Sequence, residues 1–405
     1  MAVRAGGRRR GAAAHGKTEL AVGLMSGTSA DGVDAALVEI EAGPGDRPRV
    51  RTLLARTTPY PASLRARLLR LPDVDALELA RLDVELGERW ARATLDLLAR
   101  AGRRPHEIAF VASHGHTAAH LSSSASRRAG TAHEGRGATL QIGQPAILAE
   151  RTGIETVADF RPRDVAAGGE GAPLVPWADR RLLARPGRVV ACQNVGGIAN
   201  VTALGPGPDD LVAFDTGPGM MAIDLAVAHA TGGRRRYDTG GALAAASRVD
   251  EDLLATLLAH PYLRRRPPKS TGREEFGVPF VGPLLARART PRARRDLVAT
   301  LTAFTARSIA DAYRRFLPRV DACVVSGGGA HNATLLRALA EAMPGVEVET
   351  SAARGIDPDF KEAVAFALLG WAHRRGTPNT EPGATGARHA VVGGAVWPKA
   401  LRRRP

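Results

Sequence analysis

Short apolar segments alternate along the chain with longer segments in which Leu and Ala recur at helical spacing. Residues 20–25, 33–40 and 108–112 have the composition of buried strands. Residues 64–71 and 74–101 repeat their apolar positions as amphipathic helices do. Strands that alternate with helices predict an α/β fold with mixed sheets.

The same alternation continues through the second half of the chain. Further strands are predicted at 140–142, 156–160, 189–194, 198–204, 211–214 and 322–325, and further helices at 144–151, 221–230, 240–259, 294–316 and 360–374. Residues 161–176 are rich in Gly and Pro and are predicted to be irregular. We expect a disordered basic leader at 1–18, a first α/β domain at 19–155 plus 366–405, and a second at 156–365.

Three glycine-rich turns, each after a predicted strand, are the first candidate chemistry. Residues 26–32 and 194–200 separate two apolar strands in each case, which predicts hairpins with Gly, Ser or Asn at their tips. Residues 326–332 join a strand to a helix. Such turns leave backbone N–H groups open to phosphate oxygens, although each alone could be an ordinary turn. None ends in the Gly-Lys-Ser/Thr of a Walker A loop.

Polar residues near these turns suggest what a bound phosphate chain would meet. Asp31 in the first hairpin could orient a metal ion bound to phosphates. Asp215 follows a strand in a glycine-rich loop, where an acid can act as a general base or can cap the next helix. His114 and His116 stand two residues apart after a strand, without a third ligand, so hydrogen bonding or packing is favoured over a metal site.

The segment 159–173 combines acids, arginines and glycines. Such residues can hydrogen-bond sugar hydroxyls and a ligand carboxylate, or can form a surface cluster of ion pairs.

The length and composition of the chain limit the classes of protein to which it can belong. The chain has 405 residues and 44% hydrophobic residues, enough for two domains, and no apolar run of membrane-spanning length.

The formal net charge is +15, but aromatic residues make up only 4% of the chain. Most basic residues are arginines on predicted exposed helix faces or at the termini, without interleaved aromatics that could stack bases, so a solvated surface is favoured over a nucleic-acid footprint. Cys192 and Cys323 lie in apolar runs and are expected to be buried free thiols. A cytoplasmic enzyme is the expectation.

The run from Gly23 to Asp34, GLMSGTSADGVD, resembles the opening of the anhydro-N-acetylmuramic acid kinases. The resemblance continues in the same order, over about residues 20–395, through 113–117, 141–143, 158–176, 194–200, 214–219, 268–274, 327–332 and 362–366. It implies the two-lobed actin/hexokinase-like (ribonuclease H-like) fold with its active site in a central cleft. It also implies an ATP-dependent enzyme that opens the 1,6-anhydro bond of its amino sugar with water and phosphorylates the 6-oxygen, in peptidoglycan recycling.

The resemblance also assigns roles to residues of this chain. Asp215 would be the base that activates water, and Glu362 an acid near the phosphates and magnesium, although it could also be a helix acid paired with a nearby base. The implied ATP ligands are Ser26, Gly27, Thr28, Ser29, Asp31, Gly32, Asn194, Gly196, Gly197, Gly327, Gly328, Gly329 and Asn332. The implied sugar ligands are His114, Asp159, Arg161, Asp164, Gly169 and Lys269. ATP and Mg²⁺ are the expected cofactors, with Asp31 as a candidate metal ligand, and a homodimer without nucleic-acid or membrane partners is the expected assembly.

Four positions depart from the family pattern: Ala30, His116, Glu170 and Met220 stand where Leu, Gln, Gln and Asn are usual. The last three adjoin expected ligand segments, so they affect the expected sugar more than the expected phosphoryl transfer. Two alternatives stay open at this point. One is another sugar or acetate-type kinase of the same fold, and the other is a non-catalytic nucleotide-dependent interaction module.

Overall fold

The computed structural model describes residues 18–43, 47–121, 137–207 and 210–400. Within these ranges the strands are β1 Glu19–Ser26, β2 Gly32–Glu41, β3 Arg49–Pro59, β4 Phe110–Leu121, β5 Ala138–Ile142, β6 Thr156–Ala158, β7 Val190–Val195, β8 Ile198–Leu204, β9 Leu211–Pro218, β10 Ala322–Ser326, β11 Glu347–Thr350 and β12 Ala395–Trp397. The predicted leader, 1–18, lies almost entirely outside the described residues.

The α-helices of the described chain flank these strands. They are α1 Ala62–Leu68, α2 Ala76–Arg100, α3 Pro145–Thr152, α4 Pro162–Ala166, α5 Val175–Leu183, α6 Met220–Ala230, α7 Ala242–Ala245, α8 Glu251–Leu258, α9 Pro261–Arg264, α10 Arg273–Phe276, α11 Val278–Arg287, α12 Pro291–Phe316, α13 Ala333–Ala342, α14 Lys361–Arg374 and α15 Pro382–Thr385.

The first sheet has the strand order β12-β6-β4-β1-β2-β3, with β5 paired to β4. Strands β1, β2 and β3 run antiparallel, whereas β4 runs parallel to β1. One face buries α2 through Leu82, Leu86 and Trp90. The other face buries α14, whose residues from Ala363 to Ala372 are almost all buried. Apolar side chains on both faces of the central strands explain why β1 and β2 read as nearly continuous apolar runs.

The second sheet has the order β11-β10-β7-β8-β9. Strands β10 and β7 run parallel, and β7, β8 and β9 form an antiparallel meander. Helices α6, α12 and α13 cover one face around a core that includes Leu301, Phe304 and Ile309. The other face contributes Val190 and Cys192 to a smaller cluster with Leu183 of α5.

The prediction of an α/β fold with mixed sheets flanked by helices is confirmed, as are the hairpins β1–β2 and β7–β8. No helix in the described part of the chain is long and apolar enough to cross a membrane. Several element bounds were predicted wrongly. Strand β3 has no counterpart in the prediction, and the predicted helix at 240–259 is divided into α7 and α8. The segment 161–176 contains α4 and the start of α5.

The expected domain boundaries do not follow the sheets. Strand β6 pairs with β4 and β12, so residues 156–158 belong to the first sheet. Helix α14 begins at Lys361 and packs on the first sheet, so a boundary between 365 and 366 would divide it. Local composition marks loops and turns, but strand pairing over long sequence separations decides which sheet a short strand joins.

Candidate active site

A chain of buried hydrogen bonds holds the first glycine hairpin, residues 26–32, in place. The indole N–H of Trp90 donates to Tyr60 Oη (2.8 Å), and Tyr60 donates to Ser26 Oγ (2.9 Å). Ser26 Oγ lies 3.0 Å from His116 Nδ1 and 3.3 Å from the Gly32 carbonyl oxygen. Because an indole can only donate, Ser26 must accept from Tyr60 and donate onward. The Ser26 hydroxyl therefore holds the hairpin rather than facing a ligand.

The tip of this hairpin is the part that solvent reaches. Thr28 and Ser29 are exposed, whereas Gly32 is buried. A Cβ at Gly32 would lie 2.5 Å from the Thr58 carbonyl oxygen, so packing of β2 against β3 explains that glycine. Burial lowers the pKa of His116 to about 4, which keeps its ring neutral and able to accept from Ser26.

The second and third glycine turns lie against each other at the ends of adjacent strands. Asn194 pairs with Ser326 across β7 and β10. A Cβ at Gly327 would meet Asn194 Oδ1 at 2.6 Å, and one at Gly329 would meet Val195 Cβ at 2.6 Å. Gly329 is thus explained by packing, whereas Gly197 and Gly328 are exposed.

The start of helix α6 is hydrogen-bonded to the second turn. The backbone N–H of Met220 donates to the Gly196 carbonyl (2.7 Å), and that of Gly219 donates to the Gly197 carbonyl (3.1 Å). In the third turn Asn332 caps α13 by accepting from Leu335 N (2.9 Å). The buried Nδ2 of Asn332 has no hydrogen-bond partner among the described residues, so it is a donor that a nucleotide could use.

A loop before α14 contacts the third turn. Gly327 N donates to the Pro358 carbonyl (3.0 Å), and His331 Nε2 lies 2.9 Å from both carboxylate oxygens of Asp359. Burial, followed by the charges of Asp359 and Asp31, raises the pKa of Asp34, although the hydrogen bond from Thr57 opposes the rise. Asp34 stands at the start of β2, so turns far apart in sequence share one electrostatic neighbourhood.

Glu362 lies in the first turn of α14 and adds a further carboxyl to this neighbourhood. Helix α14 approaches β1 closely because Gly23 has no side chain: a Cβ there would lie 1.8 Å from the Ala363 carbonyl oxygen. Burial raises the pKa of Glu362, Asp34 raises it further, and Lys361 and Arg161 lower it. The base next to Glu362 on the helix is Lys361, and it is paired with Asp179 (2.9 Å). Lys361 is therefore not available as the partner of Glu362.

Carboxyls that raise one another's pKa favour a nearby cation. Within the described chain no group of three or more His, Cys, Asp or Glu side chains could hold a metal ion by itself. Asp31 is exposed and accepts from Arg65 Nε (3.1 Å), which competes with a direct metal bond. Magnesium usually keeps several waters and binds through phosphates plus one or two carboxylates. Asp34 and Glu362 fit that role better than Asp31.

Asp215 lies within β9 rather than after it, and backbone groups hold it from several sides. Its N–H donates to the Lys269 carbonyl (3.1 Å), and its own carbonyl accepts from Tyr262 Oη (2.9 Å). Its carboxylate Oδ2 accepts from Thr271 N (2.9 Å). Burial raises the pKa of Asp215 to about 6, against the lowering effects of the Thr271 hydrogen bond and the Lys269 charge. A carboxyl with such a pKa suits a general base near neutral pH.

Lys269 does not extend into open space. Its side chain is buried, and its Nζ lies 4.7 Å from the Tyr262 ring centroid, 4.9 Å from that of Phe316 and 5.6 Å from that of Phe214. Burial lowers the pKa of Lys269 to about 8. The sequence pointed to Lys269 as a sugar ligand, but the structure places its ammonium group among aromatic rings.

Arg161 and His114 form the polar centre of the expected sugar segment. Arg161 donates to His114 Nε2 from Nη2 (2.7 Å) and Nε (3.2 Å), and to the Gly171 carbonyl from Nη1 (3.0 Å). His114 is buried in β4, donates from Nδ1 to the Gly115 carbonyl (2.9 Å) and lies on the Phe366 ring. Burial, then Arg161, lowers the pKa of His114 well below its usual value. With both ring nitrogens used, His114 orients Arg161.

The other predicted sugar-segment residues divide into two groups. Asp164 is fully buried and accepts from Thr385 Oγ1 and Gly171 N (2.8 Å each), so it fixes the loop. A Cβ at Gly169 would lie 2.2 Å from Asp164 Oδ2, so Gly169 serves the same loop. Asp159 has φ +57°, an uncommon value for a residue with a side chain. Such strain is found where a side chain is held for a ligand.

Sequence reasoning missed several residues that the structure brings to the site. Tyr60 and Trp90 support the first hairpin, Tyr262 and Thr271 hold Asp215, and Asp359 contacts the third turn. Of these residues, only Thr271 lies in a segment that carries the family resemblance, 268–274.

Comparison with known sequences gives a match over almost the whole described chain. A sequence profile described as anhydro-N-acetylmuramic acid kinase matches residues 19–399. The chain belongs to the anhydro-N-acetylmuramic acid kinase family. Family members of that name include one from Gloeobacter violaceus, 48% identical over 94% of this chain and 98% of its own, and one from Caldanaerobacter subterraneus subsp. tengcongensis, 44% identical over 93% and 96%. A Streptomyces coelicolor member is 44% identical over 93% of both chains.

Solved structures outside this kinase family are more distant. The activator of 2-hydroxyisocaproyl-CoA dehydratase from Clostridium difficile, solved with bound ADPNP, has a TM-score of 0.40 at 13% identity and covers 88% of this chain and 96% of its own. A ROK family glucokinase from Streptomyces griseus, solved with glucose and AMPPNP, has a TM-score of 0.38 at 13% identity, with 86% and 98% covered. Identities and scores this low add nothing to the family assignment.

Proposed function

We propose that this family member opens 1,6-anhydro-N-acetylmuramic acid with water and transfers the γ-phosphoryl group of ATP to the 6-oxygen, giving N-acetylmuramic acid 6-phosphate. The observation that carries the proposal is Asp215, a half-buried carboxyl whose pKa burial raises to about 6, in the family's Phe-Asp-Thr-Gly-Pro-Gly run. Asp215 accepts a proton from the water that attacks the anomeric carbon. The bond from that carbon to the 6-oxygen then breaks, and the 6-oxygen attacks the γ-phosphorus as the bond from that phosphorus to the β,γ-bridging oxygen breaks and ADP leaves.

The glycine turns hold the triphosphate in this proposal. Thr28, Ser29, Gly197 and Gly328 are solvent-exposed at the ends of strands, where backbone N–H groups can reach phosphate oxygens. The donor groups act mainly by positioning and by neutralising charge, which is what phosphoryl transfer requires of a protein. On the sugar side, Arg161 has guanidinium N–H groups left after its bonds to His114 and Gly171, and these suit the lactyl carboxylate.

Magnesium is part of the proposal because burial and then the Asp34 charge raise the pKa of Glu362 near the phosphate turns, which favours a nearby cation. Bound Mg²⁺ would neutralise the phosphate chain and the charge that develops during transfer. Asp34 and Glu362 would hold its waters. We further expect a cytoplasmic homodimer that takes an amino sugar and ATP.

The test is mass spectrometry of the product formed from the anhydro sugar, ATP and magnesium in oxygen-18 water. One label at the anomeric carbon, together with phosphate on the 6-oxygen, is the expected result. Phosphate on an intact anhydro sugar, or turnover of other sugars alone, would favour a different kinase of the same fold. ATP hydrolysis without any sugar phosphate would favour a nucleotide-dependent interaction module.

The role of Asp215 is tested separately with Asp215→Asn, which keeps the size and the Thr271 N contact. Turnover is expected to fall by about 10³-fold or more while ATP still binds, because an amide cannot accept the water proton. ATP affinity is measured by calorimetry. Near-normal turnover in this variant would exclude Asp215 as the base.

A further inference from the structure

We propose that Lys269 is a positioning residue for Asp215 rather than a ligand of the sugar. Its ammonium group, seated among three aromatic rings, anchors the segment that holds Asp215 and keeps a positive charge beside that carboxyl. The inference rests on Asp215 as the base of the proposed function. Its tests below also include one that does not depend on turnover.

The surroundings of the Lys269 side chain explain why it cannot reach a substrate. The residue is 9% exposed, and its Nζ has no hydrogen-bond partner among the described residues. The rings of Tyr262, Phe316 and Phe214 lie 4.7, 4.9 and 5.6 Å from Nζ. These distances are within the range in which a ring face attracts a cation. The rings therefore compensate part of the cost of burying the charge.

The backbone of the same short segment makes direct contacts with Asp215. The Lys269 carbonyl accepts from Asp215 N (3.1 Å), and Thr271 N donates to Asp215 Oδ2 (2.9 Å). Tyr262 provides both a ring beside Lys269 and a hydrogen bond to the Asp215 carbonyl (2.9 Å). A side chain fixed between these groups holds the Thr271 N–H in line with the carboxylate.

The charged groups around Lys269 determine its protonation state and, through it, whether Lys269 raises or lowers the pKa of Asp215. Asp215 raises the pKa of Lys269, whereas burial, Arg315 at the end of α12 and Arg265 after α9 lower it to about 8. Glu275 of α10 and Arg265 also act on the neighbouring Tyr262. Lys269 is therefore mainly protonated at neutral pH, and its charge lowers the pKa of Asp215. Removal of that charge must raise the pKa of Asp215.

The first experiment compares the pH dependence of kcat/KM in wild type, Lys269→Met and Lys269→Arg. In Lys269→Met the acid limb is expected to move upward by about half a pH unit or more, and kcat to fall roughly tenfold with KM for both substrates changed less than about threefold. Lys269→Arg keeps the charge, so its acid limb of kcat/KM is expected to lie close to the wild-type pH. Lys399→Met removes an exposed lysine and serves as the charge control.

Two outcomes would overturn the inference. One is an acid limb in folded Lys269→Met that coincides with wild type. The other is a large rise in sugar KM with kcat and the limb unchanged, which would return Lys269 to the role of a sugar ligand.

The second experiment needs no active enzyme and no folded Lys269→Met. The lysines of the chain are Lys17, Lys269, Lys361 and Lys399, so carbon-13 labelling at lysine Cε gives a simple spectrum, in which the Lys269→Arg variant identifies the Lys269 signal. This signal is expected to titrate near pH 8, and at a lower pH in Asp215→Asn, because the opposite charge is lost. An unchanged titration in Asp215→Asn would show that the two groups are not coupled and would overturn the inference.

Discussion

At the scale of single residues, burial decides which polar groups can react and which are structural. Asp215 is partly buried with one backbone donor on its carboxylate, and its pKa rises to about 6. Ser26 is also buried, but its hydroxyl is used within the protein by Tyr60 and His116. The sequence suggested functional roles for both residues. The contacts show that the Ser26 hydroxyl is used within the protein, whereas the Asp215 carboxylate accepts a backbone hydrogen bond from Thr271.

The pKa of Asp215 predicts the acid limb of activity. As the proposed base, Asp215 must be ionised, so kcat/KM is expected to rise with pH through about 6 and to level off above it. An unperturbed aspartate would place the limb about two units lower, near its ordinary pKa. The pH dependence of kcat/KM in wild type, with stability checked at each pH, measures this limb. A level profile down to pH 5 would contradict the assigned environment of Asp215.

At the scale of elements, glycines from similar glycine-rich runs have different structural roles. Gly32 lets β2 approach β3, since a Cβ there would lie 2.5 Å from the Thr58 carbonyl oxygen. Gly328 lies at an exposed turn after β10, where a Cβ would meet no atom of the protein within 4 Å. A glycine-rich run predicts a turn from its composition, but it does not indicate which glycine faces a ligand.

These two glycines form a matched pair for substitution. Gly32→Ala is expected to lower the free energy of unfolding by about 1–3 kcal/mol through the backbone clash. Gly328→Ala is expected to change stability by less than about 1 kcal/mol and to raise KM for ATP, because the added methyl group lies where phosphates would approach. Urea unfolding and ATP kinetics of both variants measure the two effects. Unaltered ATP kinetics in Gly328→Ala would place the nucleotide elsewhere.

At the scale of the whole molecule, helix α5 connects the cores of the two sheets. Its Trp177 packs in the cluster of the first sheet, and its Leu183 packs with Val190 and Cys192 of the second. On the same helix Asp179 accepts from Lys361 of α14 at 2.9 and 3.0 Å, and both side chains are almost fully buried. This ion pair fixes the start of α14, the turn that carries Glu362.

Breaking this pair is expected to destabilise the protein strongly. Lys361→Ala should lower the free energy of unfolding by about 3–5 kcal/mol, since it leaves a buried carboxylate without a partner. The double variant Lys361→Met with Asp179→Leu should recover most of that loss, because it removes both buried charges and replaces them with apolar side chains. Urea unfolding of the single and double variants measures this. Equal losses in both would show that packing rather than charge is responsible.

The sequence by itself determined the α/β class, most strands and long helices, the glycine turns and the family, because each of these is written in local periodicity and in contiguous motifs. Tertiary structure alone decided that β6 joins the first sheet and α14 packs on it, that Asp359 contacts His331 of the third turn, and that Lys269 lies among aromatic rings. These facts depend on pairing and packing between residues distant in the chain. Local patterns carry little information about such contacts, because the same short segment can satisfy several of them.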